Sequence, residues 1–268
     1  MPFIQCNFFS ETLGLSTTMN VIIPKLNGEE RKKFGDKPKF QTLYLLHGFS
    51  DDHSAWMRYT SIERYADSKK LAVVMPAVDH SFYTDMKRGN KYWTYISEEV
   101  PAMARALFPL SDKREDNFAA GLSMGGYGAF KLALRKPECF AAAASLSGAV
   151  NIFERAKASD HPKGLVDPYM EILMQNIFGD INEEKEDDND LLYLAKKVKE
   201  ADAYIPKLYQ CCGTEDFLYE ENLKFRDFLN ELSIDVTYSE GSGAHNWEYW
   251  DSNIQRIIEW LPLKKQPV

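Results

Sequence analysis

A chain of 268 residues with 44% hydrophobic and 13% aromatic content can bury one substantial core, and no run approaches the roughly 20 apolar residues that a membrane-spanning helix needs. Lys and Arg number 32 against 40 Asp and Glu, and the net charge of -8 opposes a phosphate backbone, which argues against a nucleic-acid partner. The opening MPFIQCNFF lacks a basic start, a long apolar block and a small-residue cleavage site, so the expectation is a cytoplasmic protein without a secretory signal.

Taken in chain order, two alternating segments, 4–11 and 17–23, open the sequence as a strand pair, and the polar stretch LNGEERKKFGDKPK after them reads as a solvated hairpin loop. Unbroken apolar runs follow at 42–46, 71–76, 117–122, 141–146 and 207–212. Runs of this length suit strands buried on both faces of a parallel sheet. Helical patterns separate them at 61–69, 93–108, 124–135 and 220–232, and a last strand, 236–239, precedes a closing helix, 247–260. Strand and helix alternate as in a doubly wound α/β sheet, in one domain spanning residues 1–268. The interval 151–206 breaks the alternation: it has a helical YMEILMQNIF segment and the acidic stretch EEKEDDND, and reads as an inserted small cap with a solvated acidic loop. Cys6, Cys139, Cys211 and Cys212 fit no metal spacing and sit among apolar neighbours, so all four are expected in the core; no metal or organic cofactor is implied.

The chemistry-bearing signal is Gly121-Leu122-Ser123-Met124-Gly125, a G-x-S-x-G with an apolar strand before it and a helical stretch after it. That placement thrusts the Ser123 hydroxyl out of the sheet at a sharp turn, and glycines at 121 and 125 remove the side chains that would collide there. Such a serine needs an acid and a base, in the order serine, acid, histidine. Asp216 follows the strand that breaks at Gly213 and precedes a helix; its neighbour Glu215 could do the same electrostatic work. Of five histidines, His47 ends an early strand, His53 and His80 lie in early loops and His161 is in the insertion. Only His245 stands in the last loop, between a strand and the closing helix. The oxyanion of an acyl-transfer intermediate needs backbone donors: the N–H after the nucleophile, here Met124, and one from the loop His47-Gly48-Phe49-Ser50, where Phe49 is the candidate. The pattern predicts an α/β-hydrolase fold, a mostly parallel sheet flanked by helices.

The combination HGFSDDHSAW, PAVDHSFYTDM, YWTYISEEVP, GLSMGGYGAF, CGTEDFLYEEN and GAHNWEYWD, which spans nearly the whole chain, resembles the esterase D group of α/β-hydrolases, closest to tributyrin esterases and to acetyl and feruloyl esterases. The resemblance implies a serine carboxylesterase with Ser123, Asp216 and His245 as triad and Phe49 and Met124 as oxyanion donors. It also implies small-molecule esters or acylated carbohydrates as substrates, and homo-oligomers are frequent in the group. S-formylglutathione hydrolases and mycolyl transferases belong to the same group, so a thioesterase is the first alternative. A noncatalytic scaffold is the second, opposed by the intact triad. Phe49, Trp93, Tyr127 and Trp247 stand beside motif residues, where they either wall an acyl or aromatic pocket or pack in the core. No long apolar lid segment is evident, which favours short acyl or feruloyl-type esters.

Overall fold

The computed structural model describes residues 1–34, 39–153, 168–180, 188–201 and 203–264. The alternating opening segments pair as an antiparallel hairpin, β1 (Phe3–Ser10) with β2 (Leu15–Ile22), and β2 runs antiparallel to β4 (Ala72–Pro76). The apolar runs form the parallel part: β3 (Thr42–Leu46), β4, β5 (Asn117–Leu122), β6 (Ala142–Leu146), β7 (Lys207–Gly213) and β8 (Val236–Gly241). The strand order is β1-β2-β4-β3-β5-β6-β7-β8. The chain leaves β3 toward β4 and returns to β5 on the other side, so a crevice opens beyond the carboxyl ends of β3 and β5, where such sheets bind ligands.

Every residue of β3, β4 and β5 is buried, as their continuous apolar runs require, and alternate side chains feed two cores. Tyr44, Leu46 and Val74 face one side with Tyr127 and Phe130 of α6 (Met124–Arg135); Leu43, Leu45 and Val73 face the other, with Ile62 of α3 (Ile62–Lys69) and Ile254 and Ile257 of the closing helix, Trp247–Trp260. Cys211 and Cys212 are buried in β7 and Cys6 and Cys139 half-buried. All four are free thiols, and burial pushes Cys211 up to about 12.

Three local readings change. The polar stretch after β2 contains α1 (Gly28–Phe34). Asn27 Oδ1 accepts from the backbone N–H of Glu29 and Glu30 at 3.0 and 2.9 Å while Glu30 Oε2 accepts from Asn27 N at 2.7 Å, a reciprocal cap that starts a helix in a polar segment. A short helix, α2 (Ala55–Tyr59), also precedes α3. The helix expected over 93–108 is instead α4 (Tyr92–Thr94), a π-turn at Tyr95–Glu99 and α5 (Val100–Leu107); Pro101, with no N–H to donate, lies where the wide turn gives way.

In the insertion, α7 (Pro168–Phe178) matches the helical segment and α8 (Leu191–Glu200) follows. Of the acidic stretch, residues 183–187 lie outside the described residues; Asp188 pairs with Lys197 at 2.8 Å and Arg135 at 3.3 Å, and Asp190 caps α8. Asp188 thus ties the insertion to α6 through Arg135, while Asp190 acts within the insertion as a helix cap; both are half-buried. Among the described residues, no helix is long and apolar enough to cross a membrane.

Candidate active site

Between Leu122, the last residue of β5, and Met124, the first of α6, Ser123 alone makes the turn, at φ 52 and ψ -118. A positive φ at a residue with a Cβ costs on the order of 1–3 kcal/mol and persists only where its surroundings enforce it. Here Ser123 N–H donates to Leu146 O at 2.9 Å, and its carbonyl accepts from Tyr127 N and Ala149 N, both at 3.1 Å. A Cβ on Gly121 would press into the Gly125 backbone, and one on Gly125 into the carbonyl oxygens of Leu46 and His47. The start of α6 therefore rests directly on the end of β3.

Beyond Leu46 the sheet ladder stops, and side chains satisfy the freed carbonyls: Trp56 Nε1 donates to Leu46 O at 2.9 Å and the Tyr83 hydroxyl to His47 O at 2.8 Å. His47 is buried, its Nε2 accepting Val78 N–H at 3.1 Å, so Nδ1 carries the proton and donates to Gly48 O at 2.7 Å. Burial pushes its pKa down to about 4, against the pull of the Gly48 carbonyl, Asp52 and Asp79. With both nitrogens engaged, His47 is structural. Among the described residues, the N–H groups of Phe49 and Met124, on the two sides of this contact, have no acceptor.

The other half comes from the loops after β7 and β8. His245 Nδ1 lies 2.9 Å from Asp216 Oδ2 and 3.0 Å from Oδ1. The Asp216 carboxylate is fully buried and also accepts Leu218 N–H at 2.8 Å. Burial alone would raise its pKa, but the His245 hydrogen bond, the Leu218 N–H and the Ser147 hydroxyl outweigh it and hold it below the ordinary carboxylate range. Ser147 is anchored in turn by Trp250 Nε1 at 3.1 Å. Glu215, the rival acid, is exposed; it accepts the Gly243 N–H and the hydroxyls of Thr214, at 2.9 Å, and Ser242, at 3.4 Å, and makes no contact with His245.

Ser123 and His245 line one cleft of about 600 Å³. With Nδ1 held by Asp216, Nε2 is the nitrogen left to face it. Neither that nitrogen nor Ser123 Oγ has a hydrogen-bond partner among the described residues, so the two have yet to close on one another. Hydrogen bonds of this kind often tighten only when substrate arrives.

Of the aromatic candidates, Phe49 and Trp247 line the cleft, Phe49 stacked on His80 at 4.4 Å and Trp247 on Tyr59 at 5.0 Å. Trp93 and Tyr127 do not. Trp93 packs on Arg135 at the far end of α6, and Tyr127 is buried with its hydroxyl donating to Asn189 O at 2.6 Å. Both belong to the core: Tyr127 is on α6, whose residues from Met124 to Leu134 are all buried, and Trp93 is buried on α4 against the end of α6. Tyr59, Phe217, Trp250 and Asp51, which the sequence alone did not single out, line the cleft. Among the described residues, none of the insertion does, and His161 lies outside those residues.

A doubly wound sheet carrying a strained serine between β5 and its helix, opposite an Asp–His pair from the last loops, is the architecture of the serine hydrolases of the α/β-hydrolase fold. Comparison with known proteins agrees. An acetyl esterase of Caldicellulosiruptor saccharolyticus is 34% identical over 264 residues, spanning 97% of this chain and 98% of its own. FphF, a fluorophosphonate-binding serine hydrolase of Staphylococcus aureus, superposes with a TM-score of 0.85 at 39% identity, covering 97% of this chain and 98% of that one. An S-formylglutathione hydrolase, FrmB, from the same species gives 0.83 at 40% identity with the same coverage. The Esterase family model matches residues 10–261, and the chain belongs to that family. It is a serine esterase.

Proposed function

We propose that the chain cleaves short acyl esters through a covalent acyl-serine, with Ser123 as nucleophile, His245 as general base and Asp216 as the group that orients and charges the imidazole. The observation that carries this reading is a fully buried carboxylate hydrogen-bonded to His245 Nδ1, which leaves Nε2 for the cleft that holds the strained Ser123. His245 takes the hydroxyl proton as Ser123 Oγ attacks the ester carbonyl. The negative oxygen of the tetrahedral intermediate is received by the N–H groups of Phe49 and Met124, and the alcohol leaves with the proton from His245. Water, deprotonated by the same imidazole, then releases the acid and restores the serine.

The Phe49 and Met124 donors require no rearrangement at the moment of reaction, since the close seating of α6 on β3 fixes both backbones beforehand. The cleft, about 600 Å³ with aromatic walls, matches an acetyl, butyryl or feruloyl-type ester in size. The test is Ser123→Ala against 4-nitrophenyl acetate and butyrate: folding unchanged, and turnover lowered by roughly 10⁴-fold or more. Retention of most of the activity overturns the reading.

A further inference from the structure

Resting on the ester-hydrolase reading of the Ser123 cleft, we propose that this cleft selects esters whose groups beside the scissile bond are uncharged or cationic, and rejects anionic ones, with Asp51 as the specificity-determining charge. Two carboxylates, Asp51 and Glu248, line the cleft, and among the described residues no Lys or Arg does. Asp51 lies beside the nucleophile. The point that a Cβ on Gly48 would occupy lies 3.0 Å from Asp51 Oδ2 and 3.7 Å from Ser123 Cβ, so carboxylate and nucleophile are neighbours across one glycine.

The charges around Asp51 leave it uncompensated. Burial raises its pKa, the Gly48 backbone N–H lowers it, Asp52 adds to the burial, and Arg58 and His245 act in the opposite sense. Arg58 forms no ion pair with Asp51 among the described residues. Its guanidinium lies 5.0 Å from the centre of the Tyr59 ring and donates to the Tyr59 hydroxyl at 3.0 Å, outside the cleft. Asp52 is turned away, its Oδ1 accepting Ser54 N–H and Oγ–H at 2.8 and 2.6 Å.

The walls act in the same direction as the charge. Tyr59 and Phe217, 48% and 63% exposed, flank the mouth, with Trp247 behind Tyr59. Aromatic faces carry negative quadrupole density that attracts ammonium groups and gives a carboxylate nothing. A carboxylate entering here would be desolvated beside Asp51 with no cation to receive it. Thioesters of glutathione, a tripeptide with two carboxylates, are therefore expected to be poor substrates, whereas sugar hydroxyls and ammonium groups find acceptors in Asp51 and Glu248.

A matched set of thioacetates tests this, with thiol release read by one chromogenic reagent: acetylthiocholine as cation, S-acetyl-2-mercaptoethanol as neutral member, and S-acetyl-3-mercaptopropanoate as anion. At low ionic strength kcat/KM for the cation should exceed that for the anion by about tenfold or more, and added salt should narrow the gap. Asp51→Asn should narrow it at least about threefold, and Glu248→Gln by less. Equal turnover of anion and cation, or a gap unmoved by Asp51→Asn, overturns the inference. Should Asp51→Asn not fold, a wild-type gap insensitive to salt and to Glu248→Gln overturns it equally. If 4-nitrophenyl acetate, run beside the thioacetates, is not cleaved, or is cleaved as well by Ser123→Ala, the ester-hydrolase reading itself fails. If its cleavage depends on Ser123 while charge makes no difference, only the charge inference fails.

Discussion

On the Ser123 side of the cleft backbone meets backbone, with α6 resting on the Leu46 and His47 carbonyls and Leu46, His47, Leu122 and Met124 all buried, whereas on the His245 side a half-exposed loop is held by its hydrogen bonds to Glu215 and to one buried carboxylate. The first half cannot adjust without losing contacts of the core. The second can. In the proposed mechanism, rigidity falls where oxyanion donors must be aimed before the charge develops, and latitude where an imidazole must close on the serine in one step and turn to the leaving group in the next.

The largest effect expected from breaking this contrast falls on the acid. Asp216→Asn should lower turnover of 4-nitrophenyl acetate by about 10⁴-fold at neutral pH with little change in folding, because the amide no longer fixes the Nδ1–H tautomer or stabilises the imidazolium. Glu215→Gln, which only loosens the loop, should cost less than about tenfold. A comparable loss in both would assign the acid wrongly.

A pair of glycine substitutions probes the packing difference through urea denaturation. Gly125→Ala drives a methyl group into the β3 carbonyls and should destabilise by more than about 3 kcal/mol. Gly241→Ala, whose methyl meets nothing within 4 Å, should stay within about 0.5 kcal/mol of wild type.

The buried His47 gives the rigid half a pH signature of similar size. An unfolded histidine takes up its proton near 6.5, the folded one only near 4. Between those values the unfolded state binds more protons, so stability falls as pH drops through that window, by up to about 3 kcal/mol, and the loss is complete below it. Denaturation at pH 7, 5.5 and 4.5 measures the slope, and His47→Gln should flatten it. Asp216, held below the usual carboxylate range, contributes stability above its unfolded pKa that is lost only at still lower pH.

The smallest effect belongs to the Tyr83 hydroxyl, which holds the His47 carbonyl at 2.8 Å. Tyr83→Phe should destabilise by about 1 kcal/mol and lower kcat a few-fold with KM nearly unchanged, since the proposed oxyanion loop would act mostly in the transition state.

Ser123, Asp216 and His245 were legible because parallel strands deliver their carboxyl ends to one rim, so strand position and chain order together locate them. The same placement sets His47 aside, whereas Glu215 and Asp216 share one strand end and only the folded chain separates them, by the contact of His245 Nδ1 with Asp216. Trp93 and Tyr127 were not, since proximity in sequence to a motif does not say which face of α6 a ring takes or which neighbour α4 packs on. Asp51 and Ser147 look like ordinary polar residues at strand ends, and only the folded chain puts one beside Gly48 and the other under Asp216. The missed α1 did leave a local signal, Asn27 three residues before Glu30, obscured by a composition that suggested a loop.

Fluorophosphonate labelling followed by intact-mass and peptide mapping tests the assignment of nucleophile and base most directly. A single adduct on Ser123, absent from Ser123→Ala and formed at least about 100-fold more slowly in His245→Ala, is the predicted result. An adduct elsewhere, none at all, or labelling as fast without the imidazole would contradict it.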